Sequence, residues 1–258
     1  MAFPTIPTVG AGRVLTNVIA NATSPRTFPS LSGLTKNSGD LLIALIAVYQ
    51  SSAASGAVFS SWGASFTEFA DLGGTTSNMS IGGAYKFSNG TETGTFTVAQ
   101  AATITGHAAC ILLSIPGAHP STAPETGGLF HGTGSAPASG LTGPSWGAAD
   151  TLWISVACSG ETSTTGSYTG ITDNGGDFTD VVQTGISADA VGGVEFGVAF
   201  EQLNTSANQA NGWNLDTSNA RNSHFTVMVR PVPSVVLPPQ IKGPDVWPNN
   251  TVQGRSRW

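Results

Sequence analysis

Gly39-Asp40-Leu41-Leu42-Ile43-Ala44-Leu45-Ile46-Ala47-Val48 is the stretch whose reading decides the fold. Residues 41–48 are apolar without a break, and a Gly-Asp pair opens the run. That is far short of the roughly 20 residues a membrane span needs. No sustained spacing of 3.6 residues runs through the chain, so little helix is expected. The run reads instead as a strand apolar on both faces, central in its sheet and covered twice.

A second stretch answers it. Ala149-Asp150-Thr151-Leu152-Trp153-Ile154-Ser155-Val156-Ala157-Cys158 repeats the pattern 110 residues later. Phe66-Thr67-Glu68-Phe69 then pairs with Phe178-Thr179-Asp180-Val181, and Gly83-Ala84-Tyr85-Lys86-Phe87 with Gly197-Val198-Ala199-Phe200. Finally, Cys110-Ile111-Leu112-Leu113-Ser114-Ile115-Pro116 pairs with Phe225-Thr226-Val227-Met228-Val229-Arg230-Pro231. Four matches in one order are the mark of an internal repeat. In the second half Leu152, Ile154, Val156 and Cys158 share one face, and Phe225, Val227 and Val229 share another, the period of half-buried antiparallel strands. Turns are marked by Asn89-Gly90, Asp173-Asn174-Gly175-Gly176 and Asn211-Gly212.

Two tandem domains or one sandwich would both fit. Each half offers one apolar face that needs a partner sheet, which favours a single antiparallel sandwich of two pseudo-repeated halves. The expected boundaries are an N-terminal arm and first strand (1–34) and a sandwich (35–232). Its halves lie at about 35–117 and 145–232, joined by a crossover loop at 118–144 rich in Pro, Gly, Ser and Thr. A C-terminal arm (233–258) follows. Pro231, Pro233, Pro238, Pro239, Pro244 and Pro248 forbid regular pairing there.

Composition narrows function by exclusion. Only 9% of the 258 residues are charged, with 9 basic against 15 acidic side chains and a net charge of −6. So few cations cannot neutralise a run of phosphates, which excludes nucleic acid as a partner. Membrane insertion is excluded by the shortness of the apolar runs. Met1-Ala2-Phe3-Pro4 carries no basic segment followed by an apolar run, so a secretory leader is not expected.

Catalytic groups are sparse. No Gly-x-Ser-x-Gly elbow is present, nothing nominates a triad, and the expectation is no enzymatic activity. Glu68 and Asp180 are matched repeat positions and read as solvated strand residues rather than a carboxylate pair. His107 and His224 stand near the start of the two closing strands; a shared strand-end role is favoured over a metal pair. His131 lies in the crossover loop without a partner at a recognisable spacing, and His119 lies outside any strand-like run. No cofactor is expected. The one weak alternative is Ca²⁺ near Asp173 and Asp177, but the segment lacks EF-hand spacing and the closing Glu, and a Gly-rich turn accounts for it. Cys110 and Cys158 both sit in apolar runs and read as buried thiols, with a disulfide between central strands the alternative.

Trp153 lies in a strand, whereas Trp62 and Trp213 lie in turn-rich segments. Trp247 and Trp258, with Lys242, Arg255 and Arg257, are the expected partner-docking residues, because an arm has no core of its own to hold two tryptophans.

The series Gly39-Asp40-Leu41-Leu42-Ile43-Ala44, Trp62-Gly63 with Phe66, Ala84-Tyr85-Lys86 and a closing strand ending Pro116-Gly117 resembles a domain of tailed-bacteriophage virion proteins: minor tail, tail-fibre and capsid-decorating types. The likeness spans about residues 35–232 and rests on strand pattern, with no catalytic signature. It implies a jelly-roll-like sandwich and a structural or adhesive role. The implied partners are other virion subunits in a homo-oligomer or multi-copy assembly, after synthesis in the host cytoplasm. The alternative is a carbohydrate-binding module that recognises a host-surface glycan.

Overall fold

The computed structural model describes residues 2–50, 59–73, 78–101, 105–133, 143–161, 172–173, 178–189, 192–206, 213–214 and 221–233. Among these the chain is all-β, apart from a single 3₁₀ turn at Leu31–Gly33. The first half carries β1 (Val14–Thr23), β2 (Arg26–Ser30), β3 (Ser38–Gln50), β4 (Phe59–Trp62), β5 (Thr67–Gly73), β6 (Met79–Asn89), β7 (Thr95–Gln100) and β8 (Thr105–Ile115). The second carries β9 (Glu125–Thr133), β10 (Asp150–Glu161), β11 (Thr172–Asp173), β12 (Thr179–Asp189), β13 (Gly192–Asn204), β14 (Trp213–Asn214) and β15 (Arg221–Val229).

The long strands form two antiparallel five-stranded sheets, in the orders β1-β8-β3-β6-β5 and β12-β13-β10-β15-β9. β3 is central in the first and β10 in the second. The sheets stack face to face. Between them lies the main core: Leu41, Ile43, Leu45, Ala47 and Tyr49 of β3 meet Leu152, Ile154, Val156 and Cys158 of β10, with Phe196, Phe200, Phe225 and Val227 beside them. Phe69 bridges the layers, its ring edge-on to Phe225 at 6.5 Å between centroids.

The alternate residues of β3 point the other way. Leu42, Ala44, Ile46 and Val48 join Phe28, Phe59, Phe66, Phe96, Ala108, Cys110 and Leu112 in a second core. A three-stranded sheet, β2-β7-β4, covers it. Phe96 organises this cover, in contact with Phe28, Trp62 and Phe66 at 5.1–6.3 Å. Strand β3 is thus buried on both faces, as its unbroken apolar run dictates. Two adjacent glycines of β6 make room for both layers. A Cβ on Gly82 would lie 2.6 Å from the Phe59 ring, and one on Gly83 would lie 2.6 Å from Phe69, on the opposite face.

Several expectations need correcting. The 110-residue alignment places Leu42 opposite Leu152, yet Leu42 faces the three-stranded sheet and Leu152 faces the main core. Inward faces coincide when Leu41 is matched to Leu152 instead. Side chains alternate with period two, so a slip of one residue exchanges the faces. The crossover expected at 118–144 is not all loop, because it carries β9, the edge partner of β15. Nor are residues 1–34 simply an arm with one strand: β2 supplies Phe28 to the second core, and Leu31 and Leu34 are buried there too. Cys110 and Cys158 are free thiols in different cores, which rules out the disulfide. Burial pushes the Cys158 thiol up to about 12 and raises Cys110 as well.

The start of β3 is held by charge. Arg13 Nη1 donates to Asp40 Oδ2 at 2.7 Å, Ser114 Oγ donates to the same oxygen at 3.2 Å and the Asn37 amide at 2.8 Å. The Gly-Asp pair therefore anchors the strand rather than performing chemistry.

Two stability tests follow. Ile154→Ala removes a fully buried side chain from the main core, so it should lower unfolding free energy by about 2–5 kcal/mol in urea titration; a loss under about 0.5 kcal/mol would place Ile154 outside that core. Residues 1–117 and 118–258 expressed as separate chains should each aggregate or lack a cooperative melt, since each would expose its half of the core. Two soluble halves with sharp transitions would show that the sheets fold independently.

Candidate functional site

The two sheets differ on the faces turned away from the main core. In the first sheet that face is apolar, with Ala44, Ile46, Ala108 and Cys110 at its centre. In the second it is polar over half its length. Glu195 of β13, Ser159 of β10 and Asn222 of β15 stand in one cross-strand row. The next row along is Gly197, Ala157 and His224, with Phe130 of the edge strand β9 last. Ser155 and Thr226 follow. Beyond them Trp153, Met228 and Phe178 gather in an apolar cluster, with Glu201 across from Trp153.

These polar groups are buried. Ser159 is 0% exposed, Asn222 1%, Glu195 2% and His224 4%. The His224 ring stacks on Phe130, with centroids 5.2 Å apart and planes 26° from parallel. Neither His224 ring nitrogen has a hydrogen-bond partner, and neither does Ser159 Oγ. Most buried polar groups are paired, so two such side chains on one patch of one sheet call for an explanation.

A second grouping lies on β4 and β5. Trp62 Nε1 donates to Glu68 Oε2 at 2.7 Å, and the Phe59 amide donates to Asp71 Oδ2 at 2.9 Å. Asp71 is held up at about 6, first by burial and then by the negative charge of Glu68, with the Phe59 N–H partly relieving it. A carboxyl poised near neutrality beside a second one is a pattern seen in acid–base sites. Here Glu68 is exposed and faces water, and the pair lies at a bulge between Glu68 and Ala70.

The residues singled out from sequence scatter. His107 and His224 are both buried. By alternation along β8, His107 faces the main core, whereas His224 faces away from it, so the two do not form a pair. His131 Nδ1 meets Ser223 Oγ at 2.5 Å across the β9–β15 pair. His119 caps its own turn through Thr122 Oγ1 at 2.8 Å. Glu68 and Asp180 lie on different sheets. Trp153 is wholly buried, and Trp62 packs beside the second core. Among the described residues no three His, Cys, Asp or Glu side chains converge as a metal site. The calcium alternative at Asp173 and Asp177 falls outside them, beyond the backbone of Asp173 in β11. So do the docking residues Lys242, Trp247, Arg255, Arg257 and Trp258.

Sequence reasoning missed the polar row. Its members are spread over three strands, and only cross-strand register gathers them. The one legible signal was the alternation in residues 150–160, where Ser155 and Ser159 fall on the face opposite Ile154 and Val156. No helix among the described residues is long and apolar enough to cross a membrane. No protein-family model, curated protein or solved structure matches the chain.

Two groups titrate out of place, with opposite signs. Burial lowers His224 to about 4. Between the ordinary His value near 6.5 and pH 4, the unfolded chain therefore takes up a proton that the fold refuses. That contribution is complete above about pH 6.5 and is lost as pH falls toward 4. Asp71, raised to about 6, keeps in the folded state a proton the unfolded chain releases. It favours the fold below about pH 4, and that advantage is lost as pH rises through 6. In urea unfolding at pH 4, 5.5 and 7, His224→Gln should be less acid-sensitive than the wild type by at most about 3 kcal/mol. Relative to wild type, Asp71→Asn should be more favourable at pH 7 than at pH 4. An unchanged pH slope in His224→Gln would mean that the imidazole is as well solvated in the fold as in the open chain.

Proposed function

We propose that the chain is a structural subunit of a virion of the tailed-phage type, working by docking to neighbouring subunits and displaying the rest of its surface. The observation that carries this reading is that both ends of the described chain fasten to one turn. The Thr5 amide donates to the Pro116 carbonyl at 2.8 Å, and Gln202 Nε2 donates to the Pro4 carbonyl at 2.7 Å. From the other end, the Val232 amide donates to the Gly117 carbonyl at 3.2 Å, and Pro231 bridges Ala118. Exposed Val232 lies there as well. Segments that leave one pole together can lash that pole to a neighbour and leave the opposite end free.

The body between suits passive load-bearing, with two long sheets on an apolar core and few charges to titrate. We further read the halves as copies of one jelly-roll-like unit. In support, β1-β8-β3-β6-β5 recurs strand for strand as β9-β15-β10-β13-β12. The arrangement of β2, β7 and β4 over the first sheet supports jelly-roll winding. In this reading the docking residues are Lys242, Trp247, Arg255, Arg257 and Trp258. Aromatic and Arg side chains are the commonest energetic anchors of interfaces.

A second reading, a module that binds a host-surface glycan, is favoured by the buried polar face of the second sheet.

Deleting residues 233–258 tests the first reading. The truncated protein should melt within about 2 °C of the full chain, a shift smaller than 1 kcal/mol would give, yet fail to enter particles assembled in its presence. Normal incorporation would refute docking through this segment. A large drop in melting temperature would mean that the segment belongs to the sandwich itself.

A further inference from the structure

We propose that the open edge of β1 is a dimer contact, where the chain pairs with the β1 of a second copy, antiparallel and about a two-fold axis. This contact is separate from docking through residues 233–258 and does not rest on it.

The edge of a sheet presents backbone donors and acceptors that can template another strand, and folded proteins blunt such edges with charge, proline, bulges or short length. Among the described residues every edge but one is blunted. β5 carries Glu68 and Asp71. β12 carries Asp180 and Asp189 and is broken by two bulges, and β9 carries Glu125, three glycines and a bulge. In the three-stranded sheet, β2 holds Arg26 and Pro29, and β4 is four residues long. β11 and β14 have two residues each.

β1 is the exception. Its ten residues, Val14–Thr23, include no charge, proline or glycine. Among the described strands it pairs with β8 alone. The register is unbroken from Val14 opposite Leu113 to Ile19 opposite Ala108, and the bulge comes only after that. Val14, Thr16, Val18 and Ile19 are β-branched, which favours an extended strand. The edge is also open, since Thr16 and Ala20 are exposed, and Leu15, Asn17, Val18 and Ile19 are half-buried.

The absence of charge selects a second copy as the partner. A two-fold axis normal to the sheet sets the central residue against its own twin and the others against near neighbours in the same strand. Any charge there would meet a like charge, which destabilises a strand pair. The net charge of −6 opposes self-association wherever acids line the contact, and β1 brings none. Such an axis keeps each side chain on its own face, so centring it on the regular segment puts Thr16 or Asn17 on the axis. Either side chain both donates and accepts, and so can hydrogen-bond its twin. β12, which packs against β1 from the second sheet, holds its two acids near its ends, with none from Val181 to Ala188.

The test is sedimentation equilibrium of the full chain, joined to amide hydrogen exchange. At micromolar concentration the wild type should reach about twice the 26.1 kDa of one chain, and the amides of residues 14–19 should exchange more slowly as concentration rises. Thr16→Lys and Thr16→Glu change an exposed side chain and should melt with the wild type. Each should weaken the dimer by roughly tenfold or more, since like charges then face one another. An equal mixture of the two should restore it, because Lys then meets Glu across the axis. Should either variant fail to fold, the concentration dependence of exchange in the wild type alone decides. A monomeric wild type would overturn the proposal and leave the edge to a strand from another protein. A dimer that neither variant weakens would overturn it too, by placing the contact elsewhere. Neither result bears on docking through residues 233–258, which fails only if the truncated chain enters particles.

Discussion

Strand β3 must be buried on both faces, and most of the architecture follows from that constraint. Every second residue of 41–48 would expose apolar surface on a strand that met water on one side, at roughly 25 cal/mol per Å². Covering one face requires the second five-stranded sheet, and covering the other requires β2, β7 and β4. Because these covers come from distant parts of the sequence, the chain must close long loops before either core forms. The ion pair of Arg13 with Asp40 and the hydrogen bond from Ser114 work at the same strand's start. They tie β3 to the approach to β1 and to β8, on the side where β8 will pair. Asp40 is largely buried, and breaking one member of such a group leaves a charge without compensation, so the cluster fixes geometry more than it adds net stability.

What was legible in the sequence was whatever hydrophobic periodicity controls. β3 and β10, the alternation of Leu152, Ile154 and Val156, and the lack of α-helix among the described residues all follow from local pattern. What was not legible depends on pairing. β9 runs Glu125-Thr126-Gly127-Gly128-Leu129-Phe130-His131-Gly132-Thr133, with three glycines and no alternation. It is a strand because the free edge of β15 offers it a ladder, and tertiary context overrides its weak propensity. The one-residue slip in the sequence alignment of the two halves has the same origin. Matching Asp40 to Asp150 aligns like residues, but the core selects faces, and only burial tells Leu41 from Leu42.

The polar site was hidden for a related reason. A motif along the chain can be read, but a row across strands cannot. Ser159, Glu195 and His224 are far apart in sequence and adjacent only through register. Each alone has an ordinary explanation: a strand serine, a solvated glutamate, a histidine near a strand end. Their shared burial on one face makes them a group.

The two halves therefore divide labour in a way that their common strand order does not foretell. The first half seals its outer face with aromatic rings, with Phe96 at the centre of Phe28, Trp62 and Phe66, and its central glycines Gly82 and Gly83 are filled by rings from both sides. The second half keeps polar groups on its outer face, where Phe130 stacks on His224, and gathers Trp153, Phe178 and Met228 at the far end. A sheet that needs only rigidity gains from filling every recess, as the first does, because close packing is what stabilises a core. A sheet that buries unpaired donors and acceptors, as the second does at His224 and Ser159, gives up part of that stability. Such a loss is tolerated where the surrounding structure holds the site in place, and here the shared apolar core with the first sheet supplies that support.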